Sequence, residues 1–236
     1  MKANQFSGYS SFRETWGKTV LEGTTMQTYK ITSKYNNLIN LKVTPGHFAT
    51  SSSHINYFID LTTLKARCSE AKAVAKSMAS DYIASTIVDT IICMDGTEVI
   101  GAYLADELTA SGIMSMNAHG TIYIIEPDQN SMGQLTFKDN VIPMVNKKNV
   151  LLLLATATTG HTIEKALECI EYYGGIVSGI SAIFSAKDEV AGHPINGIFH
   201  AKDIDNYCSY PSNDCPLCKG NIRLNGIVSS TGFSSL

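Results

Sequence analysis

One stretch constrains the fold more than any other. From Asn149 to Phe184 the chain reads NVLLLLATATTGHTIEKALECIEYYGGIVSGISAIF: an unbroken apolar segment, a polar turn, an amphipathic segment and a second apolar segment. Val150–Ala155 offers no polar position to either face, so a strand there is buried on both sides. Ile163, Ala166, Leu167 and Ile170 fall at i, i+3, i+4 and i+7, the spacing of one helix face, while Glu164, Lys165 and Glu168 fall outside it. Strand, covering helix and second strand make a parallel βαβ unit.

The same alternation recurs upstream. TIVDTIICM (86–94) reads as a buried strand, TEVIGAYLADELTAS (97–111) as a helix and TIYIIE (121–126) as a strand; strand 149–155, helix 162–174 and strand 176–184 follow. Near-continuous apolar strands between amphipathic helices predict an α/β fold, a doubly wound and mainly parallel sheet. Ahead of it, Ala71, Val74, Ala75 and Met78 mark a helix over 69–79, and HINYFIDLTTL (54–64) reads as a strand. ITSKYNNLINLKV (31–43) has mixed apolar spacing and predicts a short helix that Pro45-Gly46 ends. Residues 1–30, with the single Trp16, are rich in Ser, Thr and Gly and read as an arm. Past residue 200 the periodic apolar positions thin out. The expected organisation is an arm or hood with the short helix over 1–45, the core over 46–200, and an irregular tail over 201–236 that packs on the core.

The chain's 236 residues suffice for one such domain with a core that needs no staples. Its 18 basic and 21 acidic residues give a formal charge of -3, so no basic field draws nucleic acid or anionic lipid to it. Cys68, Cys93 and Cys169 sit inside apolar patterns and suit reduced thiols. The opening MKANQFSGYSSF lacks the apolar centre of a signal peptide, and Val150–Ala155 is far shorter than the roughly 20 residues of a membrane span. A soluble, cytoplasmic protein with no membrane or nucleic-acid partner is expected.

Thr158, Thr159, Gly160, His161 and Thr162 form the turn between the apolar strand and its helix. Unpaired backbone N–H groups and the helix dipole both favour an anion there, and a phosphate monoester suits it. The competing reading is that the threonines and the glycine merely cap the helix.

With those residues in view, the turn resembles the phosphoribosyl pyrophosphate motif of type I phosphoribosyltransferases, a strand ending in two acids, two variable residues and Thr-Thr-Gly. Three further stretches resemble the orotate phosphoribosyltransferase branch. GHFATSSSHINYFID (46–60) is similar to its N-terminal segment, GTEVIGAYLA (96–105) to its pyrophosphate loop and following helix, and YPSNDCPLC (210–218) to its C-terminal signature. The resemblance implies the type I phosphoribosyltransferase fold and a homodimer. It also implies the reaction of orotate with phosphoribosyl pyrophosphate to give orotidine monophosphate and pyrophosphate in pyrimidine biosynthesis. It assigns phosphate binding to Thr158–Thr162, the pyrophosphate loop to Gly96, Thr97 and Glu98, and contacts to the base to His54 and Tyr57. It implies Mg²⁺ riding on the diphosphate.

The departures fall on the catalytic parts. The two acids that would hold the ribose hydroxyls become Leu154 and Ala155. The flexible loop aligns on EPDQNSMG, so its basic positions become Glu126, Pro127, Asn130 and Met132, with Gly133 retained. Ser53 replaces the lysine before His54, and Ile100 replaces a pyrophosphate-loop glycine. Expelling pyrophosphate through a cationic, oxocarbenium-like state needs preorganised charge, and one such group is worth on the order of 10²–10³ in rate. Losing several predicts a phosphoribosyltransferase-like protein that binds a phosphorylated small molecule or nucleotide with catalysis impaired or lost, and no catalytic residue is assigned. Two alternatives stay open: an active enzyme whose loop charge comes from Lys138, Lys147 and Lys148, and a nucleotide-sensing or structural dimer.

Cys215-Pro-Leu-Cys218, with Cys208 and His193 or His200, spells a Cys₃His zinc set, but one C-x₂-C is weak and packing thiols are the favoured reading. No metal ligand is assigned. His161 is expected to donate to the bound phosphate. No G-x-S-x-G, Walker A or G-x-G-x-x-G pattern is present.

Overall fold

The computed structural model describes residues 27–110, 115–118, 120–229 and 232–236; Trp16 and most of the expected arm lie outside them. The chain begins with β1 (Tyr29–Thr32), β2 (Asn40–Ala49) and β3 (Ser53–Asp60), then α1 (Thr62–Ala66) and α2 (Cys68–Ala79). Next come β4 (Thr90–Cys93), α3 (Glu98–Ala110), β5 (Tyr123–Ile125), and the short pair β6 (Asp128–Gln129) and β7 (Leu135–Thr136). The central unit is β8 (Asn149–Ala157), α4 (His161–Tyr172) and β9 (Ile176–Ser185), followed by β10 (Glu189–Val190) and β11 (His193–His200). The last part holds β12 (Ser209–Pro211), α5 (Pro216–Lys219), β13 (Gly226–Ser229) and β14 (Gly232–Ser235).

Among the described residues the central sheet has six strands in the order β10-β11-β9-β8-β4-β5, and all but β10 run parallel. The run of leucines explains why β8 lies at its middle. Leu151, Leu153 and Ala155 face a core shared with α2, α3 and the N-terminal strands, while Val150, Leu152 and Leu154 face a second core under α4. A period of two thus divides one apolar run between two buried faces. Each leucine of 151–154 is fully buried, a contribution on the order of 1.5–3 kcal/mol apiece. The sheet is doubly wound, as the sequence predicts. Its strand order reverses between β4 and β8: the chain leaves β4 outward to β5, then returns to lay β8 on the other side and proceeds to β9.

The second sheet caps the first, in the order β12-β3-β2-β13-β14 with β1 paired on β2. Two expectations are corrected here. Residues 31–43 form no helix: β1 and β2 pair antiparallel, Ile31 opposite Leu41, because Ile39, Leu41 and Val43 alternate and all three are fully buried. Pro45 and Gly46 lie within β2, where the register with β3 shifts between Pro45 and Phe48. Nor is the tail irregular. β12 pairs with β3, β13 runs parallel to β2, and Phe233 packs on Phe48 and Phe58 at 5.2 and 4.7 Å. The hood therefore comprises β1, β2 and β3 together with β12, β13 and β14, in place of residues before 46 alone.

Candidate active site at the sheet switch point

In open α/β sheets a crevice forms beyond the carboxyl ends of the strands where the strand order reverses. Here it lies between the ends of β4 and β8, roofed by the hood. A cavity of about 480 Å³ is lined there by Ala155–Gly160, Thr162, Asp95, Lys65, Ser51, Ser52 and Tyr207. An adjoining cavity of about 390 Å³ shares Ser52, Thr158, Thr159 and Tyr207 and adds His161 and Lys187.

The turn ending β8 is shaped by Gly160. Its φ of +93° is left-handed, and a Cβ there would meet Val190 Cγ2 at 2.9 Å. Gly160 is also the residue at the N-cap of α4, and no side chain caps that helix. Thr158, Thr159 and Thr162 line the cavity and are not spent as caps. The first-turn N–H groups of α4 have no intrahelical acceptor, as at any helix start. His161 is placed otherwise than expected: exposed, its Nδ1 lies 3.0 Å from Glu164 Oε2, and its ring faces the smaller cavity.

The loop after β4 makes the opposite wall. Asp95 and Gly96 both have positive φ, 59° and 77°, so the chain turns sharply at the sheet edge. Thr97 is fully buried, its hydroxyl donating to the carbonyls of Met94 (2.9 Å) and Leu153 (3.2 Å), so it ties the loop to β8. Lys65 Nζ donates to the carbonyl of Asp95 at 2.5 Å and supplies a cation to the larger cavity. Burial pushes the Asp95 carboxyl up, Lys65 draws it down and Glu98 raises it again. Glu126, at the end of β5, is raised by burial and by Glu98, with which it shares a hydrogen bond. Asp95 and Lys65 line the larger cavity, and Glu98 and Glu126 stand behind that loop.

Tyr207 lies between the two cavities. Its ring packs on Phe184 at 5.1 Å, and its hydroxyl is buried without a hydrogen-bond partner among the described residues. Burial raises its phenol. Nothing in the sequence marks Tyr207 or Lys65: one lies in a stretch without periodicity, the other in a helix of five residues.

Leu154 points into the core under α4, whereas Ala155 puts a methyl in the cavity wall. Tyr57 is buried in the core below the hood, and His54 turns to the opposite side of the hairpin. Lys138 pairs with Asp128 at 3.4 Å. Lys147 and Lys148 precede β8, at the sheet end opposite the cavity. Cys208, His193 and His200 do not join Cys215 and Cys218. The donors that do are His47 and His54, and one ligand atom from each of the four lies within 4.8 Å of the others.

No family model matches the sequence, and no curated protein matches it. Several solved structures are similar in fold. Orotate phosphoribosyltransferase of Mycobacterium tuberculosis H37Rv, in complex with Fe(III) dicitrate, is 12% identical with a TM-score of 0.47, covering 81% of this chain and 97% of that one. Adenine phosphoribosyltransferase of Leishmania donovani is 13% identical with a TM-score of 0.47, covering 68% and 78%. In fold, this chain resembles phosphoribosyltransferases. UMP synthase of Leishmania donovani is 17% identical with a TM-score of 0.44 over 63% of this chain, which spans 31% of that longer protein. No helix among the described residues is long and apolar enough to cross a membrane.

Proposed function

We propose that this protein is a type I phosphoribosyltransferase relative that binds a phosphorylated small molecule, a nucleotide or a sugar phosphate, at the switch-point cavity and has lost most of the transferase reaction. The observation that carries the binding half is the turn after β8, where Thr158, Thr159 and Thr162 line the cavity and none of them caps α4. The turn's uncapped hydroxyls and N–H groups add donors, and Lys65 adds a positive charge.

The loss of catalysis is supported by what faces the sugar and the leaving group. Ala155 cannot hold ribose hydroxyls, and Asp95, Glu98 and Glu126 oppose a developing diphosphate charge. The Mg²⁺ that the resemblance implies does not fit this wall, because the carboxylates that would support it at 154 and 155 are replaced by apolar residues, and no step runs through it.

Calorimetry with orotidine monophosphate, phosphoribosyl pyrophosphate and simple nucleoside monophosphates tests the binding, and pyrophosphate release tests the chemistry. The expected result is saturable binding of at least one phosphorylated ligand with pyrophosphate release at least 10²-fold below an active transferase. Ordinary turnover overturns the second half of the proposal, and failure of every phosphorylated ligand to bind overturns the first.

A further inference from the structure

The geometry points to a structural zinc site built from His47, His54, Cys215 and Cys218, which fastens the last part of the chain to the hood hairpin. The four come from two places. His47 lies near the end of β2 and His54 is the second residue of β3, on either side of the serine turn; Cys215 and Cys218 bracket the start of α5, where Pro216 sets the first helical residue.

Four of the six distances between the donors are close to tetrahedral edges, and all six lie within 4.8 Å. Around Zn²⁺, bonds of about 2.0–2.1 Å to nitrogen and about 2.3 Å to sulfur set two nitrogens about 3.4 Å apart and nitrogen and sulfur about 3.6 Å apart. His47 Nε2 lies 3.1 Å from His54 Nδ1, 3.5 Å from Cys215 Sγ and 3.8 Å from Cys218 Sγ, and His54 Nδ1 lies 3.3 Å from Cys218 Sγ.

Hydrogen bonding alone does not account for this convergence. His47 Nδ1 lies 2.9 Å from the carbonyl oxygen of Ile222, which only accepts, so the ring proton sits on Nδ1 and Nε2 offers a single lone pair. Three groups crowd that one lone pair. A metal ion between them takes one lone pair from each of the four, and the Nδ1–H bond to a carbonyl is the support that orients a metal-bound imidazole. Two thiols release their protons on binding, so two thiolates neutralise Zn²⁺ and the site carries no net charge.

The support is rigid. Asn225 holds the backbone of His47 from both sides, its Oδ1 accepting from the His47 N–H at 2.7 Å and its own N–H donating to the His47 carbonyl at 2.7 Å. Thr50 closes the turn by accepting from the N–H of Ser53 at 2.9 Å. Four protein donors leave no open position, so the metal's role is structural. Because Ser51 and Ser52 of the same turn line the cavity, zinc also fixes one cavity wall.

Full-length protein purified with zinc and dialysed against metal-free buffer is expected to retain about one zinc per chain by mass spectrometry of the elements. After chelation, titration with Co²⁺ should give the visible bands of a tetrahedral site together with thiolate-to-cobalt charge transfer. Cys218→Ser and His54→Ala should lose the metal, whereas Cys208→Ser should keep it. The wild-type cobalt spectrum decides the matter even where a variant fails to fold. Absence of retained zinc together with absence of thiolate charge transfer overturns the proposal. So does a Cys215–Cys218 disulfide in the protein as isolated, or equal metal retention by Cys215→Ser/Cys218→Ser.

Discussion

Lys65 Nζ donates to the carbonyl oxygen of Asp95, joining the short helix that leaves the hood to the loop at the edge of the central sheet. That contact leaves Lys65 in the cavity wall, where the proposed anionic ligand would meet its ammonium. Lys65→Met removes the charge and keeps the stem. A charged hydrogen bond contributes about 1.5–3 kcal/mol, so affinity for a nucleoside monophosphate is expected to fall by about 10- to 100-fold in calorimetry. An unchanged affinity would place the ligand elsewhere.

Tyr207→Phe should move stability and not binding. Removing an unpaired buried hydroxyl leaves the ligand-free protein as stable or more so, with a gain of up to about 1 kcal/mol. The same change should leave ligand affinity within about 2-fold, since that hydroxyl offers no surface to the cavity. Thermal unfolding with and without ligand reads both effects.

Thr159→Ala and Gly160→Val separate an anion turn from a helix cap. Threonine does not cap α4, so Thr159→Ala should change stability by less than about 0.5 kcal/mol while lowering ligand affinity. A loss near 1 kcal/mol in stability would restore the capping role. Gly160→Val forces a branched side chain into left-handed backbone against Val190, and unfolding in urea should register a cost of about 1–3 kcal/mol.

The parts legible in the sequence are those with strong local periodicity: β8, α4 and β9, the helices over 68–79 and 98–110, and the turn between Thr158 and Thr162. Ile39, Leu41 and Val43 did carry a period of two, but Leu38 beside Ile39 blurred it toward a helix, and Leu38 proves exposed. β12, β13 and β14 are three or four residues long, and β12 and β13 take partners from the N-terminal hairpin, so no local pattern announces their place in the sheet. Tyr207 joins the cavity, and His47 and His54 join Cys215 and Cys218, only through that pairing.

Glu126 gives a pH signature. Burial and Glu98 raise its carboxyl above the ordinary 4.5, so the folded state holds this proton more tightly than the unfolded chain does. Its charge therefore opposes folding at neutral pH; the penalty shrinks as pH falls through the raised value and is gone below the unfolded one. Glu126→Gln should raise Tm near pH 8, and the difference from wild type should vanish toward about pH 4 in a pH series of melts. A constant difference across that range would show that charge is not the cause.

Because β2 and β3 precede every strand of the central sheet and β12 to β14 follow them all, the hood sheet joins segments from either side of it. On the ribosome, every strand of the central sheet has emerged before β13 exists to pair with β2. The roof over the cavity is thus the last piece to assemble, and a chain halted near residue 205 would carry a finished sheet beneath an open, unpaired strand edge.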